Sequence, residues 1–361
     1  MFLTFLERKL WWNLFFYFPT TISFSIWWNL GFLLLLFIFF QVVSGIFLSC
    51  FINIGSFCLT SKFLIFKEIV GGWFLVIFHI ITPWFIFFFL YLHILKSLLF
   101  PTYSVLKLWS SGVIIFLLFI IIVFSGYSIV YGSMSYWAIT VVSELIKFIF
   151  GEKISSIIFY NTSGISEITL FKIFTFHYFF SLLVFVFIFL HIYILHNLGS
   201  SFSIHSYCSC FSFSLLLFIK DLCIGLFLLI ISIFFVCFIP EIFMSGEGNM
   251  TLDKVDYVEI SVEWYLRIFF ILLRSFSSKF LGAYSTILLV LLLLLYLFFR
   301  NIWGIQRCVN FWLITFLTIS VVVYISFYFF SSSLFLIPFL LVILFNLIFI
   351  QPGECYQSYY L

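Results

Sequence analysis

Long apolar runs broken by short polar clusters recur along the chain. They fall near residues 29–52, 72–98, 110–130, 172–196, 214–239, 282–300, 309–328 and 333–351. As a helix, each is long enough to cross a hydrocarbon core of about 30 Å. The pattern predicts an all-α polytopic membrane protein with eight transmembrane helices. Two intervening segments read as interfacial. Residues 131–153 hold Gly132, Glu144, Lys147, Glu152 and Lys153, and residues 240–281 hold a cluster of acidic groups.

Composition strengthens this reading. The chain is 65% apolar and 8% charged over 361 residues, outside the range of soluble domains. One continuous bundle is expected rather than separate soluble domains, with membrane lipid as its surroundings and no nucleic-acid partner. The opening MFLTFLERKLWW carries Glu7, Arg8 and Lys9 and lacks a small-residue cleavage site, so no cleavable signal is expected. The 60 Phe residues point to drift in an AT-rich, organelle-type genome, because Leu would fill a bundle equally well. The eight cysteines are scattered, with no C-x-x-C-H for covalent haem attachment. Cys208 and Cys210 form the nearest approach to a metal pair, and all eight read as plain small residues.

Charge sets an orientation. Eight crossings put both termini on one side. That side carries seven basic residues (Arg8, Lys9, Lys96, Lys107, Lys220, Arg300, Arg307) against three acidic ones (Glu7, Asp221, Glu354). The opposite side carries nine basic and ten acidic residues. The positive-inside tendency then places the termini on the matrix or cytoplasmic side.

Four of the six histidines form two pairs with one spacing: His79 and His93 in the second run, His177 and His191 in the fourth, each fourteen residues apart. At about 100° and 1.5 Å per residue, each pair lies roughly on one helix face at two depths about 21 Å apart. The two runs are separated by one crossing and run in the same direction, so His79 is level with His177 and His93 with His191. Facing imidazoles at two depths suit two six-coordinate haem irons stacked across the bilayer. The plainer alternative is four isolated polar groups making interhelical hydrogen bonds. Zinc is disfavoured because the ligands separate into pairs with no carboxylate or thiolate beside them in those runs. Gly31 and Gly45, and Gly112 and Gly126, repeat the same fourteen-residue spacing; a missing side chain lets a large planar ring approach the backbone.

These features are accompanied by WWNLG at 27–31, Gln41, GYSIVYGSMSYW at 126–137, HNLGSS at 196–201, KD at 220–221 and EWY at 263–265. Taken in order, they make the chain resemble the mitochondrial cytochrome b family, the haem- and quinone-binding subunits of cytochrome bc complexes. The resemblance implies four N-terminal helices bundled around two stacked, non-covalent b haems within residues 1–205. A C-terminal four-helix region, 206–361, would complete the quinol site and the partner contacts. It further implies a low-potential haem between His79 and His177, a higher-potential one between His93 and His191, and ubiquinol oxidation and ubiquinone reduction at opposite faces. Expected partners are a Rieske iron–sulfur protein, a c-type cytochrome, the other complex III subunits and a second copy of the chain, in the mitochondrial inner membrane.

By the same resemblance, Glu263 accepts a proton from quinol at the outer site, with Tyr265 beside it and Tyr131, Gly132, Trp137, Ala138 and Ile139 lining the pocket. A carboxylate between a polar loop and an apolar helix suits a base with a raised pKa. The inner quinone site is expected at His196 and Asp221, with Ser200 and Lys220 nearby, where an imidazole and a carboxylate can relay protons. Lys96, Lys172 and Trp109 complete the expected cofactor contacts, the lysines standing where the family generally uses Arg, with a point charge in place of a fork. The chain also departs from the family elsewhere. Val262 replaces the Pro before EWY, Phe270 replaces a pocket tyrosine, Val76 replaces the propionate Arg before the first His, and Val130-Tyr131 replaces Pro-Trp. His205 is assigned no role.

Two competing readings remain at this stage. A different di-haem b-type anchor would have fewer helices and lack the EWY and KD stretches. A cofactor-free transporter would have inverted repeats and broken helices with charge at the midplane; Pro83 can kink the second run without creating such a site.

Overall fold

The fold is seen in a computed structural model, which describes residues 19–21, 28–55, 57–99, 106–159, 165–198, 210–212, 215–243 and 262–274, together with 276, 278, 281–289 and 291. The expected runs at 309–328 and 333–351, most of 282–300, and Ser200 and His205 lie outside the described residues. Among the described residues the chain is almost wholly helical. The helices are α1 (Leu30–Ser49), α2 (Cys58–Glu68), α3 (Gly72–Leu99), α4 (Leu106–Ile129), α5 (Ser133–Phe150), α6 (Glu152–Ile158), α7 (Glu167–Leu198), α8 (Leu215–Phe238) and α9 (Arg267–Arg274). Two short strands, β1 (Pro19–Thr21) and β2 (Cys210–Ser212), pair antiparallel with Thr20 opposite Phe211.

Helices α1, α3, α4, α7 and α8 coincide with the first five apolar runs. Each has the length and composition to cross a membrane, and so does α5, which lies in the segment read from sequence as interfacial. Apart from α5, which carries Glu144 and Lys147, these helices are apolar on nearly every side, as buried or lipid-facing helices are. Phe179, Val186, Phe189 and Leu190 on α7, and Phe227, Ile230 and Phe238 on α8, are exposed. So large an apolar surface is at home in lipid, not water. Hydroxyls inside the helices are satisfied locally: Thr82 donates to the Phe78 carbonyl at 2.6 Å, Ser128 to Phe124 at 2.8 Å and Ser232 to Leu229 at 2.8 Å. In a medium without water, that back-bonding spares an unpaired polar group.

The described residues form two compact units, those within 1–94 and 114–261 and those within 95–113 and 262–361. Within the first, α1 packs on α8 at Gly225, where an added Cβ would meet Leu36 Cδ2 at 2.8 Å and Phe32 Cε1 at 3.1 Å. A second contact region joins Ile77, Phe78 and Ile81 of α3 to Val236 near the end of α8 and Phe243 in the short turn Pro240–Phe243 that follows it. A third gathers Cys58 of α2, Ile129, Ile139 of α5, Phe159, and Leu170 and Ile173 of α7. Burial pushes the Cys58 thiol up to about 11, consistent with a cysteine used for packing. α5 and α6 fold into a hairpin around Gly151, which has a φ of +88°. The hairpin is closed by Ser155 Oγ donating to the Ser143 carbonyl at 3.0 Å and by the Lys147–Glu152 ion pair at 2.8 Å.

Candidate functional site: two histidine pairs

α3 and α7 carry the four histidines. The rings of His93 and His191 face each other with centroids 6.4 Å apart and planes at 66°. Imidazole nitrogen–metal bonds are about 2 Å, so with a ring radius at either end this span leaves room for one metal ion between the rings. His79 and His177 lie within electrostatic range of one another. The structure therefore brings together the two pairs expected from spacing, at two levels of the same two helices.

Hydrogen bonding sets the tautomers of His79 and His177. Ser44 Oγ lies 2.9 Å from His79 Nδ1, and its own proton is given to the Gln41 carbonyl at 2.9 Å. The oxygen can then only accept, so Nδ1 of His79 carries the ring hydrogen. On α7, His177 Nδ1 lies 2.8 Å from the Ile122 carbonyl, which can only accept, and 3.2 Å from Ser125 Oγ. Ser125 likewise spends its proton on the Ile122 carbonyl, at 2.8 Å. At His79, Gln41 Nε2 lies 3.3 Å from the ring Nε2, a donor that a bound metal would displace. Both histidines are thus neutral imidazoles whose Nε2 carries a lone pair. This is the form that ligates iron, with the second ring nitrogen held by a partner.

Glycines line the same rings. An added Cβ would meet His177 Cε1 at 2.7 Å from Gly126, His79 Cε1 at 3.0 Å from Gly45 and His93 Cε1 at 3.8 Å from Gly31. Donor type and pairing fit two iron-bearing groups held by His79 with His177 and by His93 with His191, and the glycines give the imidazoles room to stand there. Gly112 is half-buried in the first part of α4.

Around the α4–α5 junction, Tyr131 has a left-handed φ of 54°. For a bulky residue that conformation persists only where the surroundings hold it. Burial, then the Tyr136 phenol and the Glu167 carboxylate, raise the Tyr131 pKa. Glu167 itself lies against Gly55, where a Cβ would sit 3.4 Å from its carboxyl. One turn apart on α5, Ser133 Oγ and Trp137 Nε1 are both buried and make no hydrogen bond within the protein. Ala138 is half-buried and Ile139 fully buried.

In the other unit, Glu263 is half-buried just before α9, and Tyr265 is 5% exposed. Burial raises the Glu263 pKa, and Arg267 one turn on opposes it. Phe270, standing where a tyrosine was expected, carries the Arg274 guanidinium 5.4 Å above its ring. Lys96 follows His93 by one turn at the end of α3, and Trp109 is buried near the start of α4.

At the far end of α7, His196 is half-buried. Lys220 and Asp221 form an ion pair at 3.0 Å on the first turns of α8. Lys172, in the second turn of α7, donates its ammonium to the Ile157 carbonyl at the end of α6, at 3.0 Å. Val76, in the place of the missing arginine, is simply buried. Ser44, Ser125, Ser133 and Glu167 were not singled out by sequence. Their signal is a partner 35 or more residues away, or none at all.

The family described as Cytochrome b/b6/petB matches residues 16–199. The chain is 31% identical over 296 residues to cytochrome b of Leptorhynchoides thecatus, covering 77% of this chain and 76% of that one. It is 32% identical over 283 residues to cytochrome b of Dictyostelium discoideum, covering 76% and 72%. Its fold is similar to a chain of a solved hyperthermophilic respiratory complex III, with a TM-score of 0.79 at 21% identity over 94% of this chain and 95% of that one.

Proposed function

This chain belongs to the cytochrome b family, and from that we propose that it is the electron-transfer subunit of a respiratory complex III, a quinol:cytochrome c oxidoreductase. The observation that carries the reading is the pairing of His93 with His191 and of His79 with His177, the latter two with Nδ1 protonated and the lone pair on Nε2. Two non-covalent b haems, when bound there, supply one-electron carriers at two depths of the membrane. The chain's own work is to hold their irons, to exclude water with apolar helices, and to move protons where ubiquinol and ubiquinone meet it.

At the outer face, Glu263 is the proton acceptor for quinol. Its raised pKa supports that role, because a base with a pKa nearer the working pH both takes and releases a proton readily. Tyr265 beside it, and Tyr131 with the first turn of α5, are assigned to quinol contact on the family resemblance, and the buried Ser133 and Trp137 donors are suited to a polar ligand. At the inner face, His196 and Asp221 donate protons to quinone, with Lys220 holding the carboxylate. Lys96, Lys172, Trp109 and Ser200 are assigned to cofactor contact on the family resemblance alone. Electrons from quinol divide between a Rieske iron–sulfur protein, which passes its share to a c-type cytochrome, and this chain. The assembly is a homodimer with further subunits in the mitochondrial inner membrane, with the termini on the matrix side and protons released on the other.

The test is a redox-titrated reduced-minus-oxidised spectrum of the isolated complex, with pyridine haemochrome quantification per copy of this chain. Two b haems titrating at separate potentials are expected. None, or one, overturns the reading.

A further inference from the structure

Pro83 sits inside α3, four residues after His79. A proline has no N–H, so the carbonyl of His79 loses its regular intrahelical donor. In a lipid-embedded helix that carbonyl needs another partner. The structure provides one from a different helix: Gln41 Nε2 of α1 donates to the His79 carbonyl at 3.2 Å, and the same amide lies 3.3 Å from His79 Nε2, a second contact that an iron on Nε2 would replace. One turn further along α1, Ser44 Oγ, 4% exposed, accepts from His79 Nδ1 at 2.9 Å. Gly45 beside it leaves the clearance the ring needs, its missing Cβ falling 3.0 Å from Cε1. Gln41, Ser44 and Gly45 therefore meet one histidine at its main chain, both its ring nitrogens and its ring carbon.

We propose that Gln41 and Ser44 are positioning residues that clamp His79 at both ends, and that Gln41 stands in for the hydrogen bond that Pro83 removes. The inference rests on the reading of His79 as an axial haem ligand. It adds a reason why this chain tolerates a proline one turn from a ligand. The two contacts have separate consequences. The Gln41 contact fixes the main chain, and so the direction in which the imidazole leaves the helix. The Ser44 contact draws on the ring N–H, makes Nε2 a stronger donor and favours the ferric state.

The test uses the assembled complex bearing Gln41→Leu, Pro83→Ala, the Gln41→Leu/Pro83→Ala double variant, Ser44→Ala and Ser44→Thr. Its readouts are the midpoint potentials of both haems and the low-temperature EPR signal of the outer one. The unsubstituted complex is titrated first; fewer than two haems there refutes the proposed function, separately from this inference. Gln41→Leu is expected to shift or broaden the outer EPR signal, and Pro83→Ala to leave it unchanged. The double variant is expected to return to the parent signal, because the residue 83 N–H is back. Ser44→Ala is expected to raise the outer midpoint with the inner one unmoved, and Ser44→Thr to keep the parent value. Should Gln41→Leu fail to retain its outer haem, recovery in the double variant supports the clamp and no recovery overturns it. A Gln41→Leu effect undiminished by Pro83→Ala, or an outer midpoint indifferent to Ser44→Ala, also overturns it.

Discussion

Glu263 shows how one residue's surroundings become a pH dependence. Burial raises its pKa from the usual carboxylate value, and Arg267 partly restores it. A raised pKa keeps the group protonated to higher pH, so the proton-accepting form appears only as pH climbs through that raised value. Quinol oxidation should rise with pH along a limb lying above the ordinary glutamate range. Arg267→Leu removes the opposing charge and should move the limb further up. Glu263→Gln should abolish the limb and slow turnover on the order of 10²-fold, the scale of one general base; steady-state rates from pH 5 to 9 decide it. At this scale the histidines were legible because a fourteen-residue repeat is written in the sequence itself. Their partners were not. Ser44 lies 35 residues from His79, and Ser125 lies 52 residues from His177. Serines inside apolar helices have a ready local use in bonding the preceding turn, which hides any second contact. Pro83 read as a kink, and only the Gln41 contact reveals what its missing hydrogen bond requires.

Among elements, clearance beside the glycines yields a graded expectation. A methyl at Gly126 falls 2.7 Å from the His177 ring, at Gly45 3.0 Å from His79, and at Gly31 3.8 Å from His93. Contacts under 3 Å force the neighbour to move, whereas 3.8 Å is ordinary packing. Alanine at Gly126 should therefore cost about 1–3 kcal/mol of overpacking and lower haem content most, Gly45→Ala should do so less, and Gly31→Ala scarcely at all. Haem per chain, measured across the three complexes, checks the order. The spanning helices were legible because five apolar runs have nothing else to be. The β1–β2 pairing was not, because three-residue strands carry no periodicity and their partners stand some 190 residues apart in the chain, Thr20 with Phe211. Nor did sequence foresee the tight α5–α6 turn, which depends on the left-handed conformation of Gly151.

For the whole molecule, the histidine pairs decide a question that hydropathy leaves open. α5 has the length and composition of a span, yet His79 lies near His177 and His93 near His191, so α3 and α7 run the same way. Between them α4 crosses once. Were α5 to cross as well, the seven-residue α6, about 10 Å long, could not return the chain. α7 would then start from the opposite face and run against α3. The histidine pairing therefore requires that α5 stay on the side where α4 ends, as its charged residues indicated in the sequence. Lys153, exposed at the start of α6, should consequently face the side opposite Lys9. A membrane-impermeant amine reagent applied to right-side-out and to inverted vesicles, with labelled peptides identified by mass spectrometry, should modify Lys9 and Lys153 from opposite faces. That expectation is independent of which face is the matrix. Labelling of both from one face would mean that α5 crosses, that α3 and α7 are antiparallel, and that the two histidine ladders cannot share their haems level by level.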